Sequence, residues 1–275
     1  EPNRSRSLFF GEERQMLPPY MIDGQNTAER FLSNMDYAQV AAAVVTQEFI
    51  DGIQNSYLIQ VANRYPDRFF TFGMLDYRHA GFMGVADSVV DAFKGIKIPA
   101  ARLPQQFLTD EMMQLMHMLE EKGKILGIEL QDGDAQVGQM EEIIQECPNL
   151  KVAIGHFGMV TRPGWMEQIK LARHENVFIE SGGITWLFND EFYPFPSAIR
   201  AIKEAADEVG MEKLMWGSDY PRTITAITYK MSYDFVEKST ELTTDEKRLF
   251  LGENAKKFFG FGELPELPYI KNMSE

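Results

Sequence analysis

The sequence predicts an α/β protein, a (β/α)8 TIM barrel whose first strand is missing or atypical. Two observations lead there. Short apolar runs of strand length alternate with amphipathic runs of helix length, giving seven strands in succession, and such alternation implies a parallel sheet with right-handed crossovers. Polar and charged residues interrupt those runs toward their carboxyl ends, which is where parallel α/β proteins build their sites. A chain of 275 residues suits one barrel domain over 1–275, with an irregular arm at 1–25 and a tail at 261–275.

The arm scatters Pro2, Gly11, Pro18, Pro19 and Gly24 among charges, and Ser7-Leu8-Phe9-Phe10 is its one strand-like patch. Asn26 or Thr27 then caps a helix with Phe31, Leu32, Met35 and Tyr37 as its apolar positions. Val40 to Thr46 is a continuous run of small apolar residues, the pattern of a strand buried on both faces. A helix from Asn55 to Tyr65 turns Leu58, Ile59 and Ala62 inward and breaks at Pro66-Asp67, and Arg68 to Asp76 is the second strand. A helix over 81–93 leads to a strand at Gly95 to Pro99. Thr109 to Lys122 places Met112, Leu115, Met118 and Leu119 on one helical face and leads to a strand at Ile125 to Gln131.

Helices at Gln136 to Cys147, Trp165 to His174 and Pro196 to Val209 precede strands at Lys151 to Gly158, Val177 to Gly183 and Leu214 to Asp219. Helices at Tyr229 to Glu241 and Thr244 to Phe259 complete the core. Seven strands are one short of a closed barrel; the eighth would precede Asn26, where only Leu8-Phe9-Phe10 competes.

A net charge of −14 argues against nucleic acid as a partner, because neutralising phosphates takes a basic face and no Lys/Arg cluster is present. The expected partner is a small-molecule substrate, and an anionic one would have to meet a local basic pocket. The single cysteine, Cys147, rules out an internal disulfide and a multi-cysteine zinc site. Next to Pro148 at a helix-to-strand junction, it reads as a buried structural thiol. No apolar run has the length to span a bilayer, and Glu1 to Arg6 lacks the apolar segment of a signal peptide, so a cytoplasmic protein without a membrane partner is expected. A homo-oligomer is compatible with the tail Leu264 to Ile270, which could pack as an arm on this barrel or a neighbour.

The site is read around Leu214 to Arg222. Asp219 stands near the end of a strand run that Pro221, with no N–H for a ladder, closes. Alone, Ser-Asp-x-Pro also reads as a turn former. Its company argues for more. Lys97 interrupts Ile96 and Ile98; Glu129 and Gln131 share a face opposite Ile128 and Leu130; Glu180 follows Val177-Phe178-Ile179. Alternation groups His156 with Val152 and Ile154, at the carboxyl tip of the next strand.

Each residue has a plainer reading, a satisfied core histidine or a structural Lys97–Glu129 ion pair. Burying an unpaired charge costs several kcal/mol, however, and the groups converge on the tips of successive strands, which places them in the barrel mouth. Arg222 stands just past Asp219, and His79 follows Asp76-Tyr77-Arg78 either at the mouth or as a plain loop residue. His117, mid-helix among methionines, and His174, on the helix-to-strand side, are expected outside the site.

Four stretches, Asn149 to Gly158, Leu171 to Phe178, Met215 to Pro221 and Phe250 to Ala255, carry His-x-Gly at His156, Gly-Ser-Asp-x-Pro at Asp219 and Gly-x-Asn-Ala at Asn254. In order and spacing they resemble the amidohydrolase-related (amidohydrolase 2) branch of the amidohydrolase superfamily, from about Thr27 to Gly262. The resemblance implies a (β/α)8 barrel and an activity among sugar-lactone or pyrone-dicarboxylate lactonases, non-oxidative decarboxylases and related hydrolases. It implies that Asp219 is the last-strand aspartate handling the catalytic proton or a metal-bound water, and that His156 is the sixth-strand histidine.

Two departures matter. The sequence contains no His-x-His pair, with which members' first strand begins, and Glu129 and Gln131 occupy the neighbourhood of the decarboxylases' fifth-strand metal histidine. His156 and Asp219 alone leave a zinc site short of ligands. The expected activity is therefore lactonase-type C–O hydrolysis of a small, carboxylated or sugar-derived substrate. Asp219 would be the general base and His156 its catalytic companion, with Lys97, Glu129, Gln131, Glu180, Arg222 and His79 holding substrate. No cofactor is required by this reading; one divalent metal such as zinc would use His156 and Asp219 together with residues upstream. The alternatives are a metal-dependent non-oxidative decarboxylase and a degenerate barrel that binds a small ligand without catalysis.

Overall fold

A computed structural model describes residues 6–9, 12–15, 26–49 and 52–267. The arm is more regular than expected, since β1 (Arg6–Phe9) and β2 (Glu12–Gln15) pair antiparallel. Pro2, Gly11, Pro18, Pro19 and Gly24 lie outside the described residues, as does the tail beyond Leu267. Helix α1 (Ala28–Tyr37) is capped by the Thr27 hydroxyl, which accepts the Arg30 N–H and satisfies one of the open donors of the first turn.

Strand and helix then alternate: β3 (Ala43–Val45), α2 (Asn55–Arg64), β4 (Phe69–Gly73), α3 (Met83–Ala92), β5 (Gly95–Pro99), α4 (Asp110–Glu121), β6 (Ile125–Glu129), α5 (Val137–Glu146) and β7 (Lys151–Ile154). The chain continues through α6 (Trp165–Lys170), β8 (Val177–Glu180), α7 (Ile184–Leu187), α8 (Pro196–Val209), β9 (Leu214–Met215), α9 (Met231–Lys238), α10 (Thr244–Arg248) and α11 (Asn254–Phe259). Strands β3 to β9 form one seven-stranded sheet in chain order, every pair parallel, as helical crossovers require. The fold is that of a TIM barrel with seven strands among the described residues.

Period-two alternation sorts the side chains into two cores. Ile96, Ile98, Leu126, Ile128, Val152, Ile154, Val177, Ile179 and Leu214 pack outward against the helices. Phe70, Phe72, Ile125, Ala153 and Met215 point inward and meet Phe258 and Phe259 of α11. Phe258 lies 4.6 Å from the Phe178 ring and Phe259 lies 5.5 Å from Phe70, so α11 closes the barrel at the amino ends of the strands. Lys151, which opens β7, donates to the Phe258 carbonyl at 2.8 Å and fixes that closure.

The seam falls between β3 and β9, which do not pair among the described residues. Strand β3 is shorter than its apolar run and only half-buried, and among the described residues it stands at the edge of the sheet. Phe31 of α1 fills part of the seam, stacking 4.4 Å from Tyr220 and meeting Phe69 and Tyr229. Tyr233 of α9 donates to the Ala38 carbonyl across it. On the other side, the expected single helix Thr244 to Phe259 is interrupted by a π-turn at Leu249–Glu253. The Phe250 carbonyl accepts the Trp216 N–H at 2.8 Å, so the backbone leaving β9 finds its partner in that turn.

Candidate active site

Above the phenylalanine layer, the inward positions of the sheet turn polar or vanish. Lys97 on β5, Glu129 on β6 and Glu180 on β8 point into the mouth, while Gly127, Gly155 and Gly217 face the same space. Gly155 and Gly217 make room for the charges, and Gly127 for the Phe72 ring beneath them. A Cβ on Gly217 would overlap Glu180 Oε1, and one on Gly155 would sit 3.4 Å from Glu129 Cγ and 3.5 Å from Glu180 Oε2.

Glu129 is the hub. Its Oε1 accepts from Lys97 Nζ at 2.5 Å and faces His156 Nε2 at 3.1 Å. His156 Nδ1–H donates to the Gly182 carbonyl at 2.8 Å. Both ring nitrogens therefore face oxygen, which requires both to carry protons and makes the ring an imidazolium. Burial works against that charge, but the Glu129 carboxylate and its hydrogen bond, with help from Asp219, outweigh burial and push the His156 pKa up to about 10. Burial would raise the Glu129 carboxyl as well, and Lys97 with His156 holds it instead well below the usual carboxylate range.

Asp219 and Glu180 carry the opposite perturbation. Burial pushes the Asp219 carboxyl up, against His156 and the Trp186 hydrogen bond, and Glu129 adds to the rise. Burial raises Glu180 too; His156 and Lys97 oppose the shift, and Asp219 adds to it. Asp219 Oδ2 accepts the Trp186 indole N–H at 2.7 Å, and the Arg222 guanidinium lies 4.4 Å from the center of the Trp186 ring, which also meets His156 edge-on. Asp219 and His156 both adopt left-handed backbone, with φ of 51° and 57°, an arrangement that costs about 1–3 kcal/mol each for non-glycine residues and recurs at functional sites.

The structure brings together Lys97, Glu129, His156, Glu180, Asp219 and Arg222. Two expected substrate contacts lie elsewhere. Gln131 follows the end of β6 and spends its side-chain amide on the Leu103 carbonyl, bracing the loop after β5. His79 has a side chain 78% exposed and stands 3.5 Å from Asp76, its neighbour in the same turn, so it is a loop residue. His156 reaches the mouth by a route other than alternation. Ala153, not Val152 or Ile154, faces the barrel interior, so a continued strand would turn His156 outward; β7 ends at Ile154 and the left-handed turn at His156 redirects it.

Trp186 escaped the sequence reading because it sits on the one-turn helix α7, where no strand period marks it. Glu48 escaped too, although it follows β3 as Asp219 follows β9. It pairs with Arg102 at 3.1 Å, and burial, then Glu129, raises its carboxyl pKa against the pull of Arg102.

The family model described as Amidohydrolase matches residues 4–261. Among curated proteins, no sequence matches the chain. The fold is similar to that of a probable 2-pyrone-4,6-dicarboxylic acid hydrolase from Acinetobacter baumannii with citric acid bound, at 20% identity and a TM-score of 0.70 over 86% of this chain and 90% of that one. An amidohydrolase from Burkholderia multivorans with bound zinc is similar at 15% identity and a TM-score of 0.71, over 90% and 92% of the two chains. A 5-carboxyvanillate decarboxylase from Novosphingobium aromaticivorans, complexed with manganese and a nitrobenzoic acid, is similar at 18% identity and a TM-score of 0.59, over 85% and 80%.

The metals in two of those structures pose a question that the donor set of this mouth can answer. Both His156 nitrogens are committed to oxygens, and Lys97 already occupies the cation position on Glu129. Among the described residues of the mouth, no three His, Cys, Asp or Glu side chains bring ligand atoms within 4.8 Å of one another. The described residues of the mouth, as arranged, do not fit a metal ion.

Proposed function

Because the chain belongs to the amidohydrolase family across residues 4–261, we propose that it is a lactonase-type hydrolase that opens a small cyclic ester bearing a carboxylate. One observation carries this reading. A half-buried aspartate with raised proton affinity, Asp219, is oriented by an indole N–H next to a fixed imidazolium, so the mouth offers a base and positive charge side by side.

Asp219 removes a proton from water as the water oxygen bonds to the acyl carbon. The acyl carbon–oxygen bond of the ring then breaks, and the departing oxygen takes that proton back from Asp219. Lys97 gives one N–H to Glu129 and, with its other protons, faces the developing oxyanion. His156, held by Glu129 and Gly182, supplies a fixed charge. Arg222, laid over Trp186, holds the substrate carboxylate.

The hydrolase and decarboxylase neighbours share the fold, so substrate chemistry separates the two activities. Pyrone dicarboxylates and sugar lactones are offered beside carboxylated phenols, and ring opening is followed by absorbance while carbon dioxide release is measured. Ring opening without carbon dioxide supports the proposal, and release of carbon dioxide from a carboxylated phenol overturns it. On a confirmed substrate, Asp219→Asn should cut kcat by roughly a hundredfold or more; unchanged turnover would remove Asp219 from the role of base.

A further inference from the structure

At the opposite end of the barrel from the mouth, three groups of different chemistry converge where α4 meets the end of α5. His117 and Glu120 lie one turn apart on α4, and Cys147 caps α5 just before the chain enters β7. Cys147 Sγ is 3.4 Å from His117 Nδ1, and ligand atoms of Cys147, His117 and Glu120 all lie within 4.8 Å of one another. The Asn149 N–H donates to Glu120 Oε1 at 2.6 Å, which holds the carboxylate toward the cluster.

From these distances we propose that His117, Glu120 and Cys147 form a site for one borderline-soft divalent cation of the zinc type, separate from the mouth. Tetrahedral zinc with arms of about 2.3 Å to sulfur and 2.1 Å to nitrogen spaces those ligands by about 3.6 Å, close to the 3.4 Å seen between Cys147 and His117. A thiol–imidazole hydrogen bond would account for that pair alone; it needs no third donor. Thiolate, imidazole and carboxylate together are a donor set for zinc rather than for magnesium or calcium. Cys147 is buried and His117 is exposed, so the ion enters from the solvent side past the imidazole. Binding replaces the thiol proton, which leaves to solvent, by a metal–sulfur bond, and water completes the fourth position.

Cobalt(II) is the probe, added to the full chain after treatment with a chelator. The expected result is a thiolate-to-cobalt charge-transfer band that saturates at one equivalent and is abolished by zinc. His117→Ala, at an exposed position, should weaken cobalt binding at least about tenfold, the loss found even for partners that only orient a ligand. Cys147→Ser should abolish the band. Saturating cobalt without a charge-transfer band overturns the site, as does a His117→Ala chain that binds as tightly as the parent. Should Cys147→Ser fail to fold, His117→Ala decides.

Discussion

Replacing Glu129 by Gln removes one charge and leaves two cations facing a neutral amide. At an effective dielectric constant of about 20, unit charges at the separations seen here attract by about 7 kcal/mol for Lys97 and about 5 kcal/mol for His156. Both groups are largely desolvated, so part of that attraction offsets burial; breaking one side of such a buried pair costs about 3–5 kcal/mol. The proton affinity of His156 points the same way: the Glu129 carboxylate and its hydrogen bond raise it from 6.5 to about 10 against burial.

Without the carboxylate, burial, the largest influence, and Lys97 favour the neutral ring against Asp219, so the variant should relieve itself by releasing the His156 proton below its ordinary 6.5. The pH dependence follows. The depressed Glu129 carboxyl contributes stability that is present above its ordinary 4.5 and lost as pH falls toward its folded value. The raised His156 contributes stability that is fully present below 6.5 and lost as pH rises through about 10. The gap between parent and Glu129→Gln should therefore be widest between those ordinary values, near pH 5–6, and narrow on both sides. Denaturant unfolding across that range measures the gap, and histidine NMR titration reads the ring. A loss under about 1 kcal/mol at pH 6, or a His156 in the variant still charged at pH 8, would refute the hub role of Glu129.

Trp186→Phe removes the indole N–H from Asp219 and keeps an aromatic ring beneath Arg222, so the acid limb of kcat/KM should move to higher pH with little change in KM; an unmoved limb would show that Trp186 does not orient the base. Gly217→Ala sets a methyl on Glu180 Oε1 and should destabilise the fold by roughly 1–3 kcal/mol, and adding Glu180→Ala should recover most of that loss in a denaturation double-mutant cycle. Phe258→Ala empties the closure at the amino ends of the strands and should cost about 3–5 kcal/mol by denaturant unfolding, leaving the His156 titration where it was.

Where sequence and structure agree, local chemistry and tertiary packing ask for the same thing. The β5 strand runs from Gly95 to Pro99 as the Ile-x-Ile pattern and its terminal proline indicate, and α8 starts at Pro196 and ends before Gly210 for the usual helix-terminus reasons. They part at the edges of the sheet. The run Val40 to Thr46 has the composition of a central strand and becomes a three-residue strand at the edge of the described sheet, because burial is set by a strand's neighbours and not by its own residues. Strand β9 keeps only Leu214 and Met215, since the chain departs after Met215 to meet the π-turn that receives the Trp216 N–H.

The same reasoning separates the site residues that were legible from those that were not. Lys97, Glu129 and Glu180 break apolar runs within strands, so alternation names both the residue and the face. His156 was found for the wrong reason, because alternation holds only while the ladder continues and β7 stops before it. Asp219 and His156 instead reach the mouth through left-handed backbone, which no composition signal announces at a non-glycine residue. Such strain persists only where surrounding contacts over-determine it, and here those contacts are the ones that confer chemistry: Glu129 and Gly182 on His156, Trp186 on Asp219. Loosening any of them releases backbone and alters a proton affinity together, so variants of Glu129 and Trp186 should change stability and titration in step rather than separately.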